Sequence, residues 1–171
     1  MNSENTSAVD EDFYGLEKAD QKLLREFVCF RLGSEWYGIP VGIVREVVEF
    51  LRLTPLPSLP SFVCGVFSLR GNILSVVDLK PLLGLPATAA PLKNNRLIVI
   101  ETEKIETAFL VDEVLQVIGL ADDALEPPLA VSAAGQEKPI EYVSRFGEKF
   151  IALLNVDKLL GMLVLREDQT K

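Results

Sequence analysis

The chain repeats itself, and the repeat limits the possible folds more than any other feature. Tyr37, Ile39, Val41, Val44, Val47 and Val48 stand at a constant offset of 70 residues from Thr107, Phe109, Val111, Val114, Val117 and Ile118. The run Asp78-Leu79-Lys80-Pro81-Leu82-Leu83-Gly84 stands 77 residues from Asn155-Val156-Asp157-Lys158-Leu159-Leu160-Gly161. The larger second offset is read as a longer loop within Ala121 to Pro139. Valine-rich text can align once by chance; two blocks in the same order argue for a true repeat. Two copies joined by a linker predict two similar subdomains, and their β-branched runs predict that both are all-β.

The densest local signals lie between Gly65 and Gly84. Val66, Phe67 and Leu69 form an apolar run, and Arg70-Gly71-Asn72 reads as a hairpin tip, because Gly and Asn tolerate positive φ. Ile73, Leu74, Val76 and Val77 then form a second, β-branched run suited to a buried strand. Asp78 occupies an N-cap position ahead of one or two helical turns, and Gly84 the C′ position that ends them.

Comparing the copies separates scaffold from function. Asp78 after an apolar strand could be a catalytic or phosphoacceptor carboxylate. Its counterpart is Asn155, which cannot accept a phosphoryl group as a carboxylate does but caps a helix equally well, so capping is the reading adopted. Arg70 corresponds to Gly147 in Arg145-Phe146-Gly147-Glu148, so the repeat does not require an arginine there. Arg70 is therefore a candidate functional residue, the alternative being a solvated tip.

Read in order, residues 1–12 are polar and acidic, with the composition of a disordered segment. Leu16, Ala19, Leu23 and Leu24 recur at roughly helical spacing and predict a short helix within Phe13 to Glu26. Phe27 to Leu32 and Trp36 to Ile39 read as a hairpin turning at Gly33-Ser34-Glu35. From Val41 a short helical turn is expected to pass into a strand near Glu46. Thr54 to Pro60 is too proline-rich for helix or ladder and reads as an ordered loop. The resulting division is an N-terminal extension (1–26), a first β-subdomain (27–87), a linker (88–95), a second β-subdomain (96–163) and a C-terminal tail (164–171).

Composition excludes more than it assigns. The formal net charge of −8 disfavours nucleic acid and anionic lipid as partners. No apolar run reaches the ~20 residues of a membrane span, and the N-terminus lacks a signal-peptide pattern, so a soluble cytoplasmic protein without membrane insertion is expected. Cys29 and Cys64 lie in apolar runs and read as core thiols, with a disulfide or metal pair as the alternative. The chain contains no histidine, which removes the commonest general base and metal ligand. No phosphate-binding loop, dinucleotide fingerprint or nucleophile elbow is present. Catalysis, if any, would fall to carboxylates such as Asp112, Asp122 and Asp123; a small hydrolase or transferase is the alternative of a different class.

The runs YGIPVGIVREVVEF and LPSLPSFVCGVFSLRGNILSVVDLKPLLG, followed by AFLVDEV and LLNVDKLL, resemble the CheW family of bacterial chemotaxis coupling proteins. The resemblance covers about Phe27 to Leu163. Ser68 stands where the family usually has Asn, and Ser75 where it commonly has Pro. The resemblance implies two packed five-stranded SH3-like β-barrels with short helices, no catalytic residue, no cofactor and no metal. It implies a scaffold at membrane-associated chemoreceptor arrays, coupling the cytoplasmic tip of chemoreceptors to the histidine kinase CheA. That kinase's homologous regulatory domain could meet this chain in a pseudo-symmetric ring. A coupling role in a type IV pilus or other non-flagellar system fits the same fold.

Carried over position by position, receptor contact falls on Val41, Val44, Glu46, Gly65 and Arg70. Kinase contact is expected on exposed strand ends of the second half and the far side of the first. Each position also has a structural reading. Val41 and Val44 can be core, and Glu46, whose counterpart is Gln116, can be a solvated strand residue. Gly65 can serve backbone geometry, and Arg70 can bridge to a carboxylate within the protein.

Overall fold

A computed structural model describes residues 23–50, 52–89, 91, 93–129 and 137–168. Its strands are β1 (Leu24–Leu32), β2 (Glu35–Pro40), β3 (Val44–Glu49), β4 (Val63–Leu69), β5 (Asn72–Asp78), β6 (Arg96–Glu101), β7 (Glu106–Val111), β8 (Glu113–Ala121), β9 (Ile140–Phe146) and β10 (Lys149–Leu154). One helix, α1 (Val156–Asp168), follows, and 3-10 turns occupy Val41–Ile43, Lys80–Leu83 and Asp122–Ala124. The strands form two five-stranded sheets, ordered β8-β1-β2-β10-β9 and β3-β6-β7-β5-β4.

Adding five to each strand number of the first sheet, counting on from β10 to β1, gives the second, so the sequence repeat is a pseudo-two-fold in space. The registers agree residue by residue. Phe30 opposes Tyr37 as Ile100 opposes Thr107, and the parallel pair Val76–Ala108 is matched by Leu153–Gly38. The copies are nevertheless not the sheets. Each sheet takes the first hairpin of one copy and the last three strands of the other. The expected division into 27–87 and 96–163 therefore does not describe the sheets. The physical reason sits after β2. Pro40 lacks a ladder donor, and the helical turn Val41–Ile43 redirects the chain into the other sheet instead of folding it back. Alternation of apolar residues says that strands form, not which copy each one pairs with.

Each sheet curls so that the segment beyond one edge strand reaches the other edge. The segment after β3 reaches β4 through reciprocal bonds between Thr54 and Val66, 2.8 and 2.9 Å. The segment after β8 reaches β9 in the same way through Glu126 and Val143, 2.9 and 2.8 Å. Phe67, Leu74, Val76, Leu97, Val99, Ala108 and Leu110 fill the second sheet. Phe27, Cys29, Ile118, Leu120, Ile151 and Leu153 fill the first, largely at the equivalent positions. A third cluster, including Phe30, Ile39, Leu83, Ile98, Phe109 and Leu154, lies where the two units pack together. Each such side chain contributes about 1.5–3 kcal/mol of hydrophobic stabilisation, so this shared core makes the two barrels one body.

The two helical positions differ. Asp78 accepts a hydrogen bond from the Lys80 amide at 3.1 Å, and Gly84 ends that turn at φ 74°. Asn155 accepts one from the Lys158 amide at 2.9 Å, but α1 runs through Gly161 to Asp168. In the first copy Pro86 follows Gly84 and forbids continuation; no proline follows Gly161. The expected tail from residue 164 thus begins as helix. Residues 1–22, and with them most of the expected N-terminal helix, lie outside the described residues. Its last part is strand, because Leu24 to Glu26 pair with Ala121 to Gly119 of β8.

Candidate functional site

The hairpin β4–β5 closes at Leu69–Asn72, leaving Arg70 and Gly71 as a two-residue turn. Their φ angles are 48° and 85°, as a twist-matched hairpin turn requires. Sequence reasoning gave the positive φ to Gly and Asn; Asn72 is instead the first strand residue, and Arg70 takes the unfavourable conformation. A non-glycine residue at positive φ is uncommon and costs on the order of 1 kcal/mol. The strain coincides with the residue that the repeat does not require.

Arg70 grips Glu46 with both terminal guanidinium nitrogens: Nη1 donates to Oε1, and Nη2 to Oε2 at 3.0 Å. Because β3 and β4 are opposite edges of the second sheet, this ion pair spans the seam of the barrel. Glu46 is set there by a bulge between Val44 and Glu46, which leaves Arg45 as the extra residue. Arg45 in turn pairs with Glu106 and, at 3.9 Å, with Glu101. Glu46 is largely covered, its side chain 20% exposed, whereas Arg70 remains 70% exposed. The guanidinium is braced on one side and open on the other. Val41 and Val44 are half-buried and pack against the shared core, so both combine a core role with an exposed flank.

Gly65 is different. It is buried with φ 148°, and a Cβ there would lie 2.7 Å from the Thr54 carbonyl oxygen. The missing side chain lets the seam-closing segment dock, so backbone geometry accounts for this glycine. Its counterpart, Tyr142, carries a side chain beneath the Arg25 guanidinium, 5.3 Å away.

Asp112, considered from sequence only as a possible catalytic carboxylate, is a structural node. Its carboxylate accepts hydrogen bonds from the Gly33 amide (2.6 Å), the Lys80 ammonium (3.0 Å) and the Asn95 side-chain amide (3.2 Å). Burial pushes its pKa up, but the Gly33 N–H, the Lys80 ammonium and the Arg31 charge together outweigh burial and hold it below the usual carboxylate value. A cleft of about 410 Å³ opens beside it, lined by Gly33, Lys80, Leu85, Asn95 and others. Asp122 and Asp123 lie at the other end of β8, in an exposed 3-10 turn, roughly 30 Å of strand from Asp112. The three carboxylates do not form one site. The signal for Asp112 was available: its counterpart in the first copy is Gly42, so the repeat did not explain it.

Cys29 and Cys64 are both free, and burial raises each thiol to about 11. Among the described residues no cluster of Cys, Asp and Glu has the arrangement of a metal site. No described helix is long and apolar enough to cross a membrane.

Comparison with known proteins converges on one family. The CheW-like domain matches residues 26–164. The chain is 37% identical to protein FrzA of Myxococcus xanthus, covering 80% of this chain and 85% of that one. It is 29% identical to the chemotaxis protein CheW of Thermotoga maritima, covering 84% and 94%. Among solved structures it resembles the scaffolding protein TtCheW of Thermoanaerobacter tengcongensis, with a TM-score of 0.68, 30% identity, and coverage of 77% and 88%. Two rolled five-stranded sheets, one strained hairpin arginine and a match running through nearly all described strands lead to one conclusion: the chain belongs to the CheW-like domain family.

Proposed function

We propose that the protein is a non-catalytic cytoplasmic adaptor that holds the helical tip of a chemoreceptor and the regulatory domain of a histidine kinase in one signalling array. The reading rests on the family and on one observation above all, the Arg70–Glu46 pair. A guanidinium fixed in direction by Glu46, yet 70% exposed, is preorganised to meet an acidic or polar group on a partner. Val41 and Val44 supply apolar contact beside it, suited to a helix laid along the seam. Gly65 contributes indirectly, by letting the segment beneath the hairpin pack.

The second partner is assigned to the other sheet, where Phe146 and Phe150 flank the β9–β10 tip at 44% and 67% exposure. Large exposed aromatics are unusual on a solvated surface and favour protein contact. Co-sedimentation with a receptor signalling fragment and the kinase tests the reading. Wild type is expected to recruit the kinase to the receptor, and Arg70→Glu to weaken recruitment at least about tenfold while melting as a folded protein. Failure of the wild type to bind either partner sinks the proposal.

A further inference from the structure

The hairpin β9–β10 departs from its counterpart at positions that face outward. Phe146 and Phe150 stand where the first copy has Leu69 and Ile73, and Arg145 and Lys149 where it has Ser68 and Asn72. The repeat therefore explains neither the aromatics nor the cations, as it leaves Arg70 unexplained on the other hairpin. The register sorts them into two mixed pairs: Phe146 opposes Lys149, and Phe150 opposes Arg145. Each face of the ribbon thus carries one exposed ring beside one exposed cation.

Neither cation is neutralised. Arg145 donates its Nε–H to the Gly147 carbonyl at 3.0 Å, and the Lys149 ammonium lies 4.0 Å from the centre of the Trp36 ring. Among the described residues neither forms an ion pair, although the formal net charge of the chain is −8. Between them only Glu148, in the turn, is acidic. Exposed rings beside unpaired cations, on a protein otherwise acidic, fit a segment that carries carboxylates and aromatics together.

The chain holds such a segment, and its point of attachment is close by. Asp10-Glu11-Asp12-Phe13-Tyr14 sets three consecutive carboxylates before two aromatic rings. It joins the fold through β1, whose Arg25 guanidinium lies 5.3 Å from the centre of the Tyr142 ring on β9. Tyr142 precedes Phe146 on that strand by about 13 Å. The residues between Asp12 and Leu24 can span about 35 Å, so the tether is long enough to reach the tip.

We propose that Asp10 to Tyr14 docks on the β9–β10 hairpin of its own chain, and that a partner of this face must displace it. The carboxylates meet Arg145 and Lys149, and the rings lie against Phe146 and Phe150. The contact is intramolecular, at an effective concentration on the order of millimolar, so a weak interaction suffices to cover the face. The identity of the displacing partner rests on the assignment of this face to the kinase; the contact itself does not.

Zero-length carbodiimide cross-linking of the full chain, mapped by mass spectrometry, tests the contact. A product at monomer mass joining Lys149 to Asp10, Glu11 or Asp12 is expected. Phe146→Ser/Phe150→Ser is expected to lower its yield at least about fivefold, and Ile73→Ser, an equivalent change on the other hairpin, to leave it unchanged. If the double variant does not fold, Arg145→Glu takes its place with the same loss expected. No such product, a product only at dimer mass (a second copy as the occupant), or a yield that the hairpin variant leaves intact overturns the proposal. In binding to the kinase regulatory domain, Asp10→Lys/Glu11→Lys/Asp12→Lys is expected to tighten affinity at least about fivefold over wild type. An unchanged affinity overturns the displacement. A wild type that binds no kinase sinks the adaptor reading instead, and the cross-link alone then decides the contact.

Discussion

The guanidinium of Arg70 and the carboxylate of Glu46 join opposite edges of one sheet, from a hairpin tip to a bulged strand. Two residues 24 positions apart thereby fix the direction of an exposed cation at the proposed receptor face.

Reversing either charge should therefore separate binding from stability. Arg70→Glu and Glu46→Lys are each expected to cost about 1–2 kcal/mol, because the pair is open on the Arg70 side but covered at Glu46, and reversal sets like charges together. Recruitment to a receptor fragment should fall at least about tenfold in each. The double variant Arg70→Glu/Glu46→Arg restores the internal pair without restoring the outward guanidinium direction, so its stability should recover while recruitment stays low. Thermal melts with co-sedimentation check both halves. Recovered recruitment would make Arg70 a brace and not a contact.

Gly65→Ala should act through folding. The added Cβ meets backbone at Thr54 and the φ of 148° suits glycine, so a loss of about 2–4 kcal/mol is expected. Chemical denaturation measures it. Receptor affinity per folded molecule should be close to wild type; an equally stable variant with lost binding would return Gly65 to the contact surface.

Acid should weaken the node at Asp112. Its pKa is lowered in the folded protein, so the folded state favours the ionised form. The associated stability is present above the ordinary carboxylate pKa of about 4 and is lost as pH falls through the lowered value. Asp112→Asn should be less stable than wild type at neutral pH, with the gap narrowing as pH drops below about 4. Urea titrations across pH 2–7 check this, and a gap that widens in acid refutes it.

The thiols should be inert in the native state. With Cys29 and Cys64 raised to about 11 by burial, the thiolate fraction at neutral pH is negligible. Iodoacetamide at pH 7.5 is expected to label neither residue appreciably in the folded protein and both rapidly in denaturant, as read by mass spectrometry. Fast native labelling of Cys64 would show that its surroundings open.

The outward hairpin of Arg70 was legible because Gly71 and Asn72 punctuate two apolar runs. Its partner was not, because Glu46 lies on a strand whose neighbours depend on how far the sheet rolls. Gly65 was ambiguous for a related reason. A glycine in a strand signals close approach, but only the docked Thr54 segment says what approaches. Asp112 was underread: three of its partners, Gly33, Lys80 and Asn95, come from separate segments that converge only in three dimensions.

The sequence by itself determined the strand-rich fold class, the two copies and the residues the repeat leaves unexplained, because periodicity and turn chemistry are local properties. Tertiary structure decided that the copies exchange hairpins, that Arg70 faces Glu46 and that Asp112 gathers Gly33, Lys80 and Asn95. Strand pairing is non-local: the same alternating pattern satisfies any neighbour of suitable register, and only packing around the shared core selects among them.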